Sequence, residues 1–273
     1  MVAHELRGRV DATLTHYHQL GLEPRLGPLA VGTRDPSRDE VWDANQIRSV
    51  RASEPDEIEA VLAWADELYA GSTHRRVAID GNTPDPVEAR LALDGWTMTP
   101  VIQAVLSGPL AHPRPEEGTL PAGVAIRPAE TDADWATMVR LTRLDHLEEA
   151  AKESRPSWDE ALTASMVSHR RRKAPEVRQF IASFDGADVG MFSALPGLDG
   201  MGLVEDLFVA PEARRRGVAV ALIGHCVNDA RARGADEVII GSDPDDWPKG
   251  LYARLGFRPC FVERLWDLEL GLP

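Results

Sequence analysis

Val204-Glu205-Asp206-Leu207-Phe208-Val209-Ala210-Pro211-Glu212-Ala213-Arg214-Arg215-Arg216-Gly217-Val218-Ala219 decides how this chain is read. An apolar run carrying two adjacent acids has the make-up of a strand. Ala210-Pro211 turns it. Three arginines and a glycine follow, and then a helix begins. The first amides of a helix have no internal partner and point outward at the positive end of its dipole. Gly217 and Ala219 keep that surface bare, and Arg214, Arg215 and Arg216 add charge. Three arginines at a turn are ordinarily a solvated feature. The Gly-x-Ala helix start that follows makes an anion pocket the better reading.

Outward from this stretch, the second half alternates strands and helices. Val124–Arg127 reads as a short strand, and Asp132 opens a helix reaching about Glu149, with Trp135, Met138, Val139 and Leu141 on its apolar side. A second helix runs from Ser157 to about Arg172. Its acids lead and its arginines close, matching the helix dipole. Phe180–Phe184 and Val189–Ala194 are strands joined through Asp185-Gly186, a strong hairpin signal. Gly217 to about Arg233 is a helix stopped by Gly234. Val238–Gly241 is a strand, Pro248–Leu255 a helix started by its proline, and Cys260–Leu268 a final strand. Hairpins first and a crossover later imply a mixed sheet in an α/β protein.

The first half is less regular. His4–Leu20 and Asp56–Ala70 read as helices, Val77–Asp80 and Val101–Leu106 as strands, and Val41–Val50 as a segment that could hold a strand. Glycine and proline crowd Ser107–Gly123, which marks a linker. The expected division is a first domain over 1–108, a linker over 109–122 and a second domain over 123–273. A faint repeat supports it. Val77–Asp80, Glu88–Leu91, Gly95-Trp96 and Val101–Leu106 mirror Val238–Gly241, Tyr252–Leu255, Gly256-Phe257 and Phe261–Trp266. Where the arginine turn should recur, the chain reads Ser53-Glu54-Pro55-Asp56-Glu57, and Glu88 stands opposite Tyr252. That turn would repel an anion.

Composition narrows the classes. The chain has 273 residues, 43% hydrophobic and 27% charged, with a formal net charge of -14. A surface so acidic repels phosphate backbones, which argues against nucleic acid as a partner. Met1–Arg9 lacks an apolar signal core, and no apolar run approaches the roughly 20 residues a membrane span needs. We therefore expect a cytoplasmic protein, monomeric or homodimeric, off the membrane. Cys226 and Cys260 read as reduced, partly buried thiols. His16 and His18 face different ways on one helix with no partner to complete a zinc set, so no metal site is expected. The serines lack a nucleophile elbow. His225 reads as a packing or surface histidine.

Arg214-Arg215-Arg216-Gly217-Val218-Ala219 resembles the acyl-CoA-binding motif of the GNAT superfamily of N-acetyltransferases, Gln/Arg-x-x-Gly-x-Gly/Ala. Leu251-Tyr252-Ala253-Arg254-Leu255-Gly256-Phe257 resembles that family's second marker, an aromatic-bearing helix ending in Gly-Phe. The resemblance covers about residues 123–270. It implies a mostly antiparallel GNAT-type sheet flanked by helices and, with the repeat, two tandem GNAT-like units, the first without its CoA motif. It implies acetyl-CoA as co-substrate, held by Arg214, Arg215, Arg216, Gly217, Val218, Ala219 and Val220. The backbone of Leu207, Phe208 and Val209 would pair with the pantetheine arm like an added strand. Glu205 is then the base, Asp206 a substrate or structural contact, and Tyr252 the acid. The implied reaction is acetylation of a primary amine, on a small molecule or a peptide. A CoA-binding module without turnover, or a different acyl donor, are the alternatives. Leu147–Trp158 and Pro196–Gly202 fall on the acceptor side by chain position. One departure stands out: Asp245 occupies a place where many members carry asparagine. Trp247 reads as a packing residue.

Overall fold

The computed structural model describes residues 2–111, 120–152, 154 and 156–270. In chain order its helices and strands are α1 (Val2–Gln19), β1 (Arg25–Gly27), β2 (Ala30–Gly32), β3 (Ile47–Arg48), α2 (Pro55–Leu68), β4 (His74–Ile79), α3 (Asp85–Leu93) and β5 (Thr97–Leu106). They continue with β6 (Val124–Pro128), α4 (Asp132–Lys152), α5 (Glu160–Arg172), β7 (Arg178–Phe184), β8 (Ala187–Leu195) and β9 (Met201–Val209). The last are α6 (Val218–Ala232), β10 (Glu237–Ser242), α7 (Pro248–Leu255) and β11 (Arg258–Glu269).

Packing divides the chain into two compact units, and not by simple chain order. Unit 1 takes Met1–Ala104, Gly241–Lys249 and Pro259–Pro273, and unit 2 takes Val105–Ile240 and Gly250–Arg258. In unit 1, β1, β2 and β3 pair antiparallel in turn, and β3 meets β4 in parallel at Ile47 and Val77. The other side of β4 pairs antiparallel with β11, from Arg264 opposite Ile79 to Glu269 opposite His74. The last strand of the chain is thus built into the unit that contains its beginning. Ile58, Val61 and Ala65 of α2 recur at helical spacing and enter a core with Ile47, Val77, Ile79, Val87, Leu91 and Trp266.

In unit 2, β6, β7, β8 and β9 pair antiparallel in turn, and β10 joins β9 in parallel. The sheet is mixed and mostly antiparallel, flanked by helices. The β7–β8 hairpin turns at Asp185 (φ 49) and Gly186 (φ 84), the two left-handed residues that a tight turn with the sheet's twist requires. Helix α6 packs on β7, β8 and β9, while α4 packs on α5, β8 and β9. Asp159 caps α5, its Oδ1 accepting from Leu162 N at 2.6 Å.

The first half departs from its sequence reading at Val41–Val50, and two further elements are only faintly marked in the sequence. Val41–Val50 holds one helical turn at Trp42–Ala44 and only two strand residues. Asn45, fully buried there, ties the segment locally through its side chain to the Arg38 and Val41 carbonyls at 2.9 Å each. Arg25–Gly27 and Ala30–Gly32 form a hairpin too short to show alternation. Asp85–Leu93 is a helix whose buried residues are only Val87 and Leu91, too few for a clear period. Of the expected linker, the Gly108 carbonyl accepts from Arg231 and the Ala111 amide donates to the Leu255 carbonyl at 2.8 Å. Residues 112–119 lie outside the described residues. No helix among the described residues is long and apolar enough to cross a membrane.

Candidate functional site

The site in unit 2 begins where two strands part. The parallel ladder between β10 and β9 ends at Ile240 and Val204. Immediately after, β9 bulges: Phe208 opposes Met191 and Glu205 opposes Ser193, three steps on β9 against two on β8. Asp206 absorbs the extra residue in a left-handed conformation, φ 64. The alternation expected of Glu205 and Asp206 as strand neighbours therefore breaks at Asp206. Among the described residues the β10 ladder stops at Val204, and beyond the bulge Phe208 and Val209 pair with β8.

The bulge is held by groups that sequence reading did not single out. Arg170 Nη2 of α5 contacts Asp206 Oδ1 at 2.7 Å, with both side chains largely buried. Arg170 Nη1 donates to Thr142 Oγ1 at 3.2 Å. The Ser193 hydroxyl donates to the Glu205 carbonyl at 2.8 Å and lies 3.3 Å from Asp206 Oδ2. Asp145 of α4 also interacts with Arg170 and Asp206. Burial, and then the nearby Glu149, Glu148 and Asp206 carboxylates, push its carboxyl up to about 6, against the opposing pull of Arg170. No local pattern announces these residues, because they lie on four elements distant in sequence.

Beyond β9, the chain makes one turn of 3-10 helix at Pro211–Ala213 and enters the arginine turn. Arg214 is not a free cation. Its Nη1 and Nη2 grip Glu148 at 2.8 and 2.5 Å, and its Nε donates to the Val209 carbonyl at 2.9 Å. It also lies 6.0 Å from the Phe208 ring centroid. This pairing, with the nearby Lys152, holds the Glu148 carboxyl below the usual range. Arg214 ties the end of β9 to α4, while Arg215 and Arg216 are exposed, Arg216 resting 4.9 Å over the Phe184 ring.

The helix start is open. Gly217 is the N-cap, left-handed at φ 82 and ψ -1, with no side-chain cap. The first intrahelical bond is from Ala221 N to the Gly217 carbonyl at 2.9 Å. The amides of Val218, Ala219 and Val220 precede it and have no capping group among the described residues. A Cβ at position 217 would stand 3.0 Å from Pro121 Cγ, so space and backbone both call for glycine. Bare amides, a dipole end and two exposed arginines suit a diphosphate.

Tyr252 is buried in α7, its ring centroid 6.2 Å from that of Phe257. The Phe257 amide donates to the Tyr252 carbonyl at 3.1 Å, closing the helix over Gly256 at φ 103. Of the acceptor-side segments, Leu147, Trp158 and Leu198 are exposed apolar residues, and Trp158 meets His146 edge-on at 4.5 Å. His225 packs edge-on against Phe180 at 4.5 Å, and its burial lowers its pKa. Asp245 is exposed in a turn, its amide donating to Asp243 Oδ1 at 2.6 Å. Trp247, expected to pack, is 57% exposed. It stands between Asp246 and the helix-starting Pro248, in a stretch too polar to build a core around it.

Unit 1 has a different turn at the matching place. Glu57 accepts from the Glu54 amide at 3.1 Å and the Ser53 amide at 2.9 Å, completing a capping box at the start of α2. These bonds hold the Glu57 carboxyl below its usual range. Glu88 receives Arg264 Nε at 2.5 Å and Trp266 Nε1 at 3.3 Å. Among the described residues no group of histidine, cysteine, aspartate or glutamate could hold a metal ion.

The model of the acetyltransferase (GNAT) family matches residues 138–257. That stretch, which carries the bulge, the arginine turn and Tyr252, is similar to the acetyltransferase (GNAT) family. No curated protein matches the chain in sequence. Among solved structures, a GCN5-related N-acetyltransferase from Kribbella flavida is 16% identical, with TM-score 0.66, covering 100% of this chain and 96% of its own. A tandem GNAT protein from the clavulanic acid biosynthesis pathway is 21% identical with TM-score 0.57, covering 83% of this chain and 74% of its own. A functionally unknown conserved protein from Staphylococcus epidermidis is 13% identical with TM-score 0.65, over 91% and 94%. These likenesses extend the fold over both halves, as two GNAT-like units.

Proposed function

We propose that this protein transfers an acetyl group from acetyl-CoA to a primary amine of an acceptor, by direct attack within a ternary complex. The observation that carries this reading is the start of α6, where no side chain among the described residues caps Val218, Ala219 or Val220, after a β9 whose ladder with β10 ends at Val204. The amides of Val218, Ala219 and Val220, with Arg215 and Arg216, would hold the diphosphate. Arg214 would shape the turn rather than meet the phosphates. The edge Leu207–Val209 would pair with the pantetheine arm as an added strand and bring the thioester level with the bulge.

An alkyl ammonium of pKa about 10.4 is neutral only about once in 2,500 molecules at pH 7, a cost of roughly 4–5 kcal/mol. In this reading Glu205 takes that proton, directly or through a water. The amine nitrogen attacks the thioester carbonyl carbon, the carbon–sulfur bond breaks, and Tyr252 gives its proton to the departing thiolate. Asp206 serves the strand's shape through Arg170. The acidic surface suits a cationic acceptor, and the protein is expected to work in the cytoplasm as a monomer or homodimer.

The test is free-thiol release from acetyl-CoA and longer acyl-CoAs across a panel of amines. We expect turnover with acetyl-CoA, and a kcat lowered about a hundredfold by Tyr252→Phe with KM little changed. Turnover unmoved by Tyr252→Phe removes the acid assignment. Acyl-CoA binding without turnover on any amine would mark a binding module, and preference for a longer acyl chain would change the donor. In a thermal-shift assay, acetyl-CoA at ~100 times its Kd should add about 2.7 kcal/mol. No shift would count against the whole reading.

A further inference from the structure

We propose that Arg170 is a positioning residue for the acyl donor: by holding the Asp206 carboxylate, it fixes the bulge of β9 and thereby sets the alignment of Leu207–Val209 beyond it. The inference rests on the proposed donor site and adds a device to it.

A residue with a side chain at φ 64 is held away from its preferred backbone, and such positions persist only where their surroundings over-determine them. Here the surroundings are specific. Asp206 is bound by Arg170 from α5 at 2.7 Å, and Ser193 of β8 reaches both Asp206 and the preceding carbonyl. The guanidinium is itself aimed by Thr142 of α4, 3.2 Å away. Two helices and the neighbouring strand thus converge on one peptide of β9. An isolated bulge would relax toward regular pairing with β8, since Ser193 and Met191 already bond its flanks. Regular pairing would realign Leu207, Phe208 and Val209 and shift the edge that the pantetheine arm would use. Arg170 touches no reacting atom in this scheme and acts through Asp206.

The arrangement separates a backbone role from a chemical one, because glycine adopts positive φ without an anchor. Acetyl-CoA affinity, measured by calorimetry, and amide hydrogen exchange over 205–209 in the unliganded protein would be compared in Arg170→Gln, Arg170→Lys, Asp206→Ala and Asp206→Gly. We expect Arg170→Gln and Asp206→Ala to bind acetyl-CoA about tenfold more weakly and to exchange faster over that segment. Arg170→Lys keeps an ion pair and Asp206→Gly keeps the conformation, so both should bind within about threefold of wild type. Equal losses in Asp206→Ala and Asp206→Gly would overturn the proposal, as would Arg170→Gln behaving like wild type in both measurements. If Arg170→Gln fails to fold, the alanine–glycine contrast at 206 still decides. Wild-type protein that binds no acetyl-CoA overturns the donor reading together with this role. Binding by wild type that Arg170→Gln leaves unaltered overturns the clamp alone.

Discussion

The two units begin corresponding helices in opposite ways. In unit 1, β3 meets β4 at Ile47, a left-handed residue follows at Ser49 (φ 54), and α2 starts at Pro55. In unit 2, β9 meets β10 last at Val204, a left-handed residue follows at Asp206, and α6 starts at Val218. The path is the same, but the connection in unit 2 is longer, and the added length carries the arginines. At the helix start, unit 1 sets the Glu57 carboxylate over the Ser53 and Glu54 amides, whereas among the described residues unit 2 has no capping side chain behind its left-handed glycine. A carboxylate in the first turn puts a negative charge at the positive dipole end, where it would repel an external anion. The same dipole end therefore serves stability in one unit and is available for a ligand in the other.

The sharpest way to break this contrast is to give unit 2 the cap of unit 1. Val220 stands three residues after the N-cap Gly217, as Glu57 stands after Glu54. The carboxylate of Val220→Glu should therefore reach back to the Gly217 amide as that of Glu57 does to Glu54, and set a negative charge over the helix start where it repels a diphosphate. We expect acetyl-CoA affinity to fall at least about a hundredfold, on the order of 2.7 kcal/mol or more, with the fold intact. Calorimetry beside circular dichroism checks it, and unimpaired binding would remove the helix start from the site.

Unit 1 spends its buried acids on structure, which gives it a pH signature. Asp11 is buried, accepting from Asn82 Nδ2 at 2.7 Å, and its carboxyl is pushed up to about 7, chiefly by burial and then by Asp80. An acid with a raised folded pKa holds its proton in the native state where the unfolded chain has lost it. Its stabilising effect is present below about pH 4 and is lost as pH rises toward 7. Unfolding free energy should drop by about 2 kcal/mol across that window, a discounted figure for a site that can relax. Asp11→Asn should flatten that slope in denaturant titrations at pH 5 and pH 8. An unchanged slope would mean that Asp11 ionises freely.

Within the arginine turn, residues of one type divide in role. Arg214 is tied to Glu148 and Val209, while Arg215 and Arg216 are exposed. Arg214→Ala should weaken acetyl-CoA binding about tenfold with little change in its salt dependence, because it loosens the turn. Arg216→Ala should cost only about two- to threefold, and that loss should shrink as salt rises. Equal losses with equal salt slopes would erase the distinction. The smallest effect is expected at Glu57. Glu57→Gln should lower the melting temperature slightly above pH 5 and less in acid, where the carboxylate's capping advantage fades. It should create no acetyl-CoA binding in unit 1, because Glu54 and Asp56 remain beside the turn. A new binding event seen by calorimetry would show that one carboxylate alone separates the units.

Much of the second half could be read locally. Pro248 opens α7, the Asp185-Gly186 pair makes its hairpin, and Gly217 supplies the left-handed N-cap, each acting through neighbours in sequence. Unit 1 was harder because its strands are two to three residues long at the start and its loop at 41–45 is held by a buried asparagine rather than a periodic pattern. The acids Glu205 and Asp206 are visible as a pair in the sequence, but their environment is not. The alternation rule for strands fails at a bulge, and a bulge is set by the partner strand.

By itself, the order strand, arginine turn, glycine and helix determined an open helix start behind a left-handed glycine, since both are local facts. The acids of Ser53–Glu57 could be read the same way, whereas their capping box is seen only in the structure. Tertiary structure alone decided that Arg214 is a structural tie, that Arg170 meets Asp206, and that β11 completes unit 1 beside β4. Those outcomes depend on which distant elements come within a few ångströms. An arginine has the same propensity facing a carboxylate or facing water, so only the packed chain distinguishes the two.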